Sequence, residues 1–82
     1  DMNARVKTVN GEKINATGPT MVTGKFGILA IDSNGDFEYQ STDHGYAEGK
    51  QDRFQWVGME DSGDIVVDFL ENETLHTWFS YA

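Results

Sequence analysis

Apolar and polar residues alternate along most of this chain of 82 residues, and helical periodicity is nearly absent. A period of two places successive side chains on opposite faces of an extended strand, so that one face can turn towards a core. Regularly spaced short strands with turn residues between them are typical of an antiparallel sandwich or barrel. We therefore predict an all-β fold, a Greek-key-like antiparallel β-sandwich of about seven strands, with residues 1–82 forming one domain.

Turn residues set the predicted strand boundaries. Asn10-Gly11 suits the positive φ angles of a tight hairpin turn, and Pro19 breaks a strand because proline cannot donate to a ladder. The polar stretch from Ser41 to Asp52 is interpreted as a loop that crosses between sheets. The predicted strands are Arg5 to Val9, Lys13 to Ala16, Thr20 to Thr23, Gly24 to Ile31, Asp36 to Gln40, Arg53 to Val57, a strand with Ile65, Val67 and Phe69 facing inward, and Leu75 to Phe79. The predicted core includes Phe37, Phe54, Trp56 and Phe69.

An acidic segment, Asp32-Ser33-Asn34-Gly35-Asp36, lies between two of these alternating stretches. It superficially matches the start of an EF-hand calcium loop. That loop needs glycine at its sixth position and glutamate at its twelfth, where this chain has Phe37 and Thr42. Because Asn34 and Gly35 suit the positive φ angles of a two-residue turn, we assign the segment to a hairpin turn. The residues of that turn are Asp32, Asn34, Gly35 and Asp36.

The charge of the chain is acidic and unevenly distributed. The formal net charge is −8, and every lysine and arginine lies at or before Arg53. Such a surface repels phosphate backbones and anionic lipid head groups, which argues against nucleic-acid and membrane-surface partners. No run approaches the roughly 18 apolar residues of a membrane span, so membrane insertion is not expected. We expect the isolated chain to be a monomer.

A chain of this length has a thin core. It buries only about 60% of the surface that its unfolded form exposes. The sequence contains no cysteine, so neither a disulfide nor a thiolate is available. Any additional stabilisation would have to come from a hard metal ion or from a neighbouring domain.

Catalytic motifs are missing from the sequence. His44 and His76 are the only histidines, and neither has a nucleophile at a motif spacing. There is no G-x-S-x-G, no H-E-x-x-H and no paired glycine-rich phosphate loop. Distant turn acids do not make the facing pair that glycoside hydrolysis needs. We therefore expect no enzyme activity.

Three segments follow one another in a recognisable order. Val6 to Gly11 ends in a Val-Asn-Gly turn, Met21 to Tyr39 contains Phe-Gly-Ile-Leu and a short acidic turn, and Asp52 to Val57 precedes the acidic glycine turn at 61–64. In order and spacing these segments resemble a VCBS-type repeat. Such cadherin-like or immunoglobulin-like modules recur in large secreted bacterial adhesins and RTX-type proteins. The resemblance covers about residues 5–70, whereas the tail at 71–82 has no clear counterpart.

The resemblance implies a role, a location and partners. It implies a structural and adhesive repeat module, secreted to the bacterial cell surface, that acts as a rigid extracellular spacer in cell adhesion or biofilm formation. Its partners would be neighbouring repeat modules of the same chain and cell-surface or matrix carbohydrate or protein. The family's repeat usually opens with a strand that this chain starts too late to include. One hypothesis is that the tail strand at 74–79 takes the sheet position of that strand.

Turn carboxylates are the candidates for calcium binding. In the resembled family calcium stiffens modules and their joints, and calcium takes six to eight oxygen ligands that neighbouring loops can bring together. Solvated turn carboxylates are the alternative interpretation. The candidate ligands are Glu60, Asp61, Asp64, Asp43 and Asp52.

Aromatic residues suggest a function of another class, a carbohydrate-binding module. Sugars stack on exposed aromatic faces, and three residues lie in the loop or near the end of the chain, where exposure is expected. These residues are Tyr46, Trp78 and Tyr81. Their exposure as a coplanar set would favour this alternative, whereas their burial would count against it.

Overall fold

Two antiparallel β-sheets pack face to face in the computed structural model, which describes residues 6–42 and 48–81. The all-β sandwich prediction is confirmed, with eight strands in place of about seven. The strands are β1 (Val6–Val9), β2 (Glu12–Lys13), β3 (Thr20–Thr23), β4 (Gly27–Ile31), β5 (Phe37–Ser41), β6 (Gln51–Gly58), β7 (Ser62–Phe69) and β8 (Leu75–Tyr81). A 3-10 turn at Glu71–Glu73 lies between β7 and β8. Within the described ranges, no helix has the length and apolar character that crossing a membrane requires.

The two sheets differ in size. Five strands form the first sheet in the order β2-β1-β6-β7-β8, and three form the second in the order β3-β4-β5. β1 lies beside β6 because the chain between them leaves the first sheet, builds the second and then returns. This crossover gives the sandwich its Greek-key-like connectivity.

The core lies between the sheets and follows the predicted alternation. On β6, Phe54 and Trp56 are fully buried, whereas Arg53 and Gln55 are exposed. Alternate side chains of a strand share a face, so the pattern turns one face of β6 towards the second sheet. The buried cluster consists of Val6, Val9, Ile14, Val22, Leu29, Ile31, Phe54, Trp56 and Ile65. Phe37, Tyr39 and Phe79 pack against it half-buried.

Several predicted bounds are wrong, two of them by three residues, and the loop predicted from Ser41 to Asp52 is shorter because Ser41 belongs to β5 and Gln51 and Asp52 belong to β6. The Gly24 N–H donates to the Gly27 carbonyl at 2.7 Å, so Gly24 to Phe26 form the turn between β3 and β4. The strand predicted from Gly24 therefore begins at Gly27. The strand predicted from Lys13 to Ala16 ends at Lys13, and beyond it the Asn15 N–H donates to the Thr20 side-chain hydroxyl at 2.8 Å.

The acidic segment at 32–36 forms the turn between β4 and β5. The Gly35 N–H donates to the Asp32 carbonyl at 3.0 Å. Gly35 has a φ of 99°, whereas Asn34 has no positive φ. The side-chain oxygen of Asn34 instead accepts a hydrogen bond from the Asp36 N–H at 3.0 Å. One positive φ angle and one side-chain hydrogen bond therefore shape this turn, where two positive φ angles were predicted.

The tail forms a paired edge strand. β8 is antiparallel to β7 along its whole length, from Leu75 opposite Phe69 to Tyr81 opposite Gly63. β8 also returns the chain to the end of the sandwich at which it entered. Val6 lies opposite Gly58, so Val6 and Tyr81 flank the same β6–β7 turn, while Phe69 lies at the far end.

Candidate functional site

Asp52 joins the two sheets. It lies on the inward face of β6 and is 2% exposed, the one buried charged or polar side chain among the described residues. Its Oδ1 accepts a hydrogen bond from the Lys25 N–H at 3.1 Å, and its Oδ2 accepts one from the Phe26 N–H at 3.0 Å. The Tyr39 hydroxyl donates to Oδ2 at 2.8 Å. All three donors belong to the second sheet or its β3–β4 turn, so the carboxylate anchors one sheet to the other.

Two glycines make room for this contact. A Cβ added at Gly24 would lie 2.5 Å from Asp52 Oδ2, and one added at Gly27 would lie 2.5 Å from the Tyr39 Cζ. Real Cβ atoms do not approach other atoms so closely, so both positions exclude larger residues unless the turn moves. The Gly-Lys-Phe-Gly turn and Asp52 are therefore one structural unit.

The structure separates the calcium candidates. Asp52 is held by three hydrogen bonds inside the sandwich. Asp64 lies on the outer face of β7, where its Oδ2 accepts a hydrogen bond from Arg53 at 2.9 Å. Glu60 and Asp61 are exposed in the β6–β7 turn, and Asp43 lies outside the described residues. In ranges 6–42 and 48–81, no three carboxylate, imidazole or thiol groups come together to hold a metal ion.

The carbohydrate candidates also lie apart. Trp78 is opposite Val66 on the outer face of the first sheet, whereas the Tyr81 ring meets the core residue Trp56 edge-on at 5.2 Å. Alternate residues of β8 point to opposite faces, so Trp78 and Tyr81 do not form a coplanar set. Tyr46 lies outside the described residues.

An aromatic and polar surface covers the outer face of β6, β7 and β8. The rings of His76 and Trp78 are adjacent, with centroids 5.2 Å apart and planes tilted by 37°. Beside them runs a hydrogen-bonded chain of four polar side chains. Arg53 donates to Asp64 at 2.9 Å and to Gln51 at 3.1 Å, and Gln51 donates to Asp68 at 2.7 Å. We call these six residues the outer-face surface.

Val66 lies beneath this surface, and sequence reasoning missed it. Alternation places it opposite in phase to Ile65 and Val67, yet it is only 1% exposed. Its cross-strand neighbours are Arg53 and Trp78, which lie on the same outer face. An apolar residue in the polar phase of a strand was the available signal for a covered outer face.

Gly63 is a second position that the sequence did not single out. A Cβ there would overlap the Ser80 carbonyl oxygen and lie 2.8 Å from the Trp56 Nε1. The same Ser80 carbonyl accepts a hydrogen bond from the Trp56 indole at 2.9 Å. Gly63 therefore lets the end of β8 come close enough to satisfy the buried indole.

A shallow groove lies on the outer face of the second sheet. Its volume is about 620 Å³, and its lining includes the exposed apolar side chains Met21 and Ile28 together with Ala30. Glu38 and Gln40 supply polar atoms along the groove. The arrangement offers apolar contact area on an open surface.

Comparison with family models, curated proteins and solved structures gives no match for this chain.

Proposed function

We propose that this chain is a structural module of a secreted bacterial surface protein, in which a rigid sandwich contributes to cell adhesion or biofilm formation. The observation that carries the proposal is the anchoring of Asp52 by three hydrogen bonds from the opposite sheet. A buried and fully hydrogen-bonded carboxylate resists sliding of the two sheets. This supports a rigid body and not a hinged cleft.

The positions at which the chain enters and leaves refine the role. Val6 and Tyr81 lie at the same end, three strand spacings or about 14 Å apart. A module held at this end projects its far end, where Phe69 and Leu75 lie, away from its attachment. Such a geometry favours lateral display of the module, which differs from the chain-extending spacer that the resemblance implies.

Surface display tests this proposal. The 82-residue chain would be displayed on a non-adherent bacterial strain, beside a flexible glycine and serine segment of equal length on the same carrier. We expect more attached biomass with the sandwich than with the flexible segment. Equal biomass for the two would contradict an adhesive role.

Carbohydrate binding is the second candidate function, and the outer-face surface favours it. His76 is exposed and Trp78 half-buried, and their adjacent rings give an apolar strip. Arg53, Gln51 and the two acids beside the strip are linked by hydrogen bonds, and their polar groups suit sugar hydroxyls. A neutral sugar also avoids the repulsion that an anionic ligand would meet from the net charge of −8 on the chain.

Retention on immobilised cellulose, xylan, mannan and chitin tests this candidate. We expect at least one polysaccharide to retard the chain, Trp78→Ala to abolish the retardation, and Tyr81→Ala on the opposite face to leave it unchanged. Both variants must first give the circular dichroism spectrum of the parent chain. No retardation on any of the four, or equal effects of the two variants, would argue against the candidate.

A further inference from the structure

The sheets have four edge strands within the described part of the chain, and three of them are shielded. An edge strand presents unpaired backbone groups, which proteins shield with short strands, charges or proline. β2 has two residues, both charged, and β3 has four residues directly after Pro19. β5 carries the exposed charge of Glu38.

β8 has none of these protections. It is seven residues long, contains no acidic residue, lysine, arginine, proline or glycine, and pairs with β7 without a bulge. Its inner face is also incompletely covered. Leu75 and Phe79 are half-buried, and Thr77 and Tyr81 are exposed, although all four point to the side on which the second sheet lies. Phe79 stacks on Trp56 and on Phe37 of the second sheet, with ring centroids 4.8 Å and 6.3 Å apart, so the exposed part of this inner face lies mainly at Thr77 and Tyr81.

We propose that a second copy of this chain pairs antiparallel with β8 through its own β8, which joins two five-stranded sheets into one of ten strands. This dimer departs from the monomer that the sequence alone led us to expect. A two-fold interface presents the same surface twice and so must be self-complementary. With the two-fold axis at Trp78, Leu75 lies opposite the partner's Tyr81 and Thr77 opposite the partner's Phe79. These pairs shield the partly exposed inner-face side chains of β8 in both copies. Such a dimer does not depend on the adhesive role.

Charge determines when this pairing forms. β8 brings no like charges opposite one another, because it has no acidic or basic residue apart from His76. The whole chain carries a net charge of −8, so two copies repel at longer range. Salt screens such repulsion, with a Debye length of about 10 Å at 0.1 M and about 3 Å at 1 M. Association through β8 therefore strengthens as salt rises, unlike association through ion pairs.

Sedimentation velocity over a range of concentrations tests the proposal on the 82-residue chain. We expect a monomer–dimer equilibrium that shifts towards dimer between about 0.1 M and about 1 M sodium chloride. Thr77→Lys places an edge lysine near its symmetry mate and should weaken dimerisation about tenfold or more. Thr23→Lys makes the same charge change at an exposed position of β3 and should weaken nothing.

Hydrogen exchange provides a measurement that does not depend on a variant folding. We expect backbone amides of β8 that are open to solvent in dilute solution to gain protection as the chain concentration rises. A chain that sediments as a monomer at every concentration in high salt overturns the proposal. Equal weakening by the two lysine variants, or β8 protection that does not change with concentration, also overturns it.

Discussion

The Tyr39 hydroxyl lies 2.8 Å from the Asp52 carboxylate and donates a hydrogen bond to it from one sheet to the other. The same carboxylate accepts two hydrogen bonds from the β3–β4 turn, donated by the backbone N–H groups of Lys25 and Phe26. Three donors that are far from Asp52 in the sequence thus converge on one buried side chain. Loss of that side chain would remove the acceptor of all three hydrogen bonds.

Asp52→Asn should destabilise the fold by about 2–4 kcal/mol, because an amide supplies one acceptor oxygen and turns an NH₂ group towards donors. A domain of this size has a total stability of only about 4–12 kcal/mol. The midpoint of urea unfolding should therefore fall markedly. Asp64→Asn is the matched control. Its ion pair with Arg53 is partly exposed to solvent, at 33% for Asp64 and 54% for Arg53, so we expect a loss below about 1 kcal/mol.

Tyr39→Phe removes one donor and keeps the ring, which packs edge-on against Phe54 and Phe69. We expect a loss of about 1–2 kcal/mol. The double variant with Asp52→Asn should lose less stability than the sum of the two single losses, because both substitutions remove the same hydrogen bond. Full additivity in urea unfolding would show that the two side chains are not coupled.

Gly63→Ala should be strongly destabilising, by about 2 kcal/mol or more, because its methyl group would displace the Ser80 backbone from the Trp56 indole. Gly18→Ala is the control, since nothing lies within 4 Å of a Cβ at that position. Thermal unfolding of both variants measures the difference. Equal melting temperatures would mean that β8 moves away from Gly63 without cost.

Calcium stabilisation stays a prediction, and Glu60 and Asp61 are its exposed candidates among the described residues. If they supply ligands, millimolar calcium should raise the stability by about 1 kcal/mol, given a dissociation constant near 10⁻⁴–10⁻³ M. The test compares melting temperatures in excess calcium and in chelator, for the parent chain and for Asp61→Asn. Identical midpoints in calcium and chelator for the parent chain would show that calcium does not stabilise the fold.

Local features of the structure were accessible from the sequence, whereas pairings between distant segments were not. The alternation through Phe54 and Trp56 predicted their burial because side-chain direction in a strand depends on near neighbours alone. Asp52 is two residues before Phe54, so the same alternation places its side chain on the inward face and indicated its burial. Its role could not be predicted, because its donors at 25, 26 and 39 reach it only through the packing of the two sheets.

The edge position of β8 was hidden for the same reason. The pattern at 75–79 indicates a strand, but it does not indicate which strand lies beside it. Val66 likewise became buried through Arg53 and Trp78, which come from two other strands. Sequence pattern therefore gave the strands and most of the core, while the outer-face surface depended on the order of strands in the sheet.

The return of the chain to its starting end determines how the sandwich would respond to force. A pull between Val6 and Tyr81 acts at one end of the ladder, so the hydrogen bonds between β8 and β7 would open one after another from Tyr81 towards Leu75. A pull between Val6 and Phe69 would instead shear the ladders and strain many hydrogen bonds at once. Under such tension β8 would thus peel away from β7 and release about 24 Å of extended chain. Asp52 would meanwhile hold the two sheets together, so the edge strand would open before the packing between the sheets is lost.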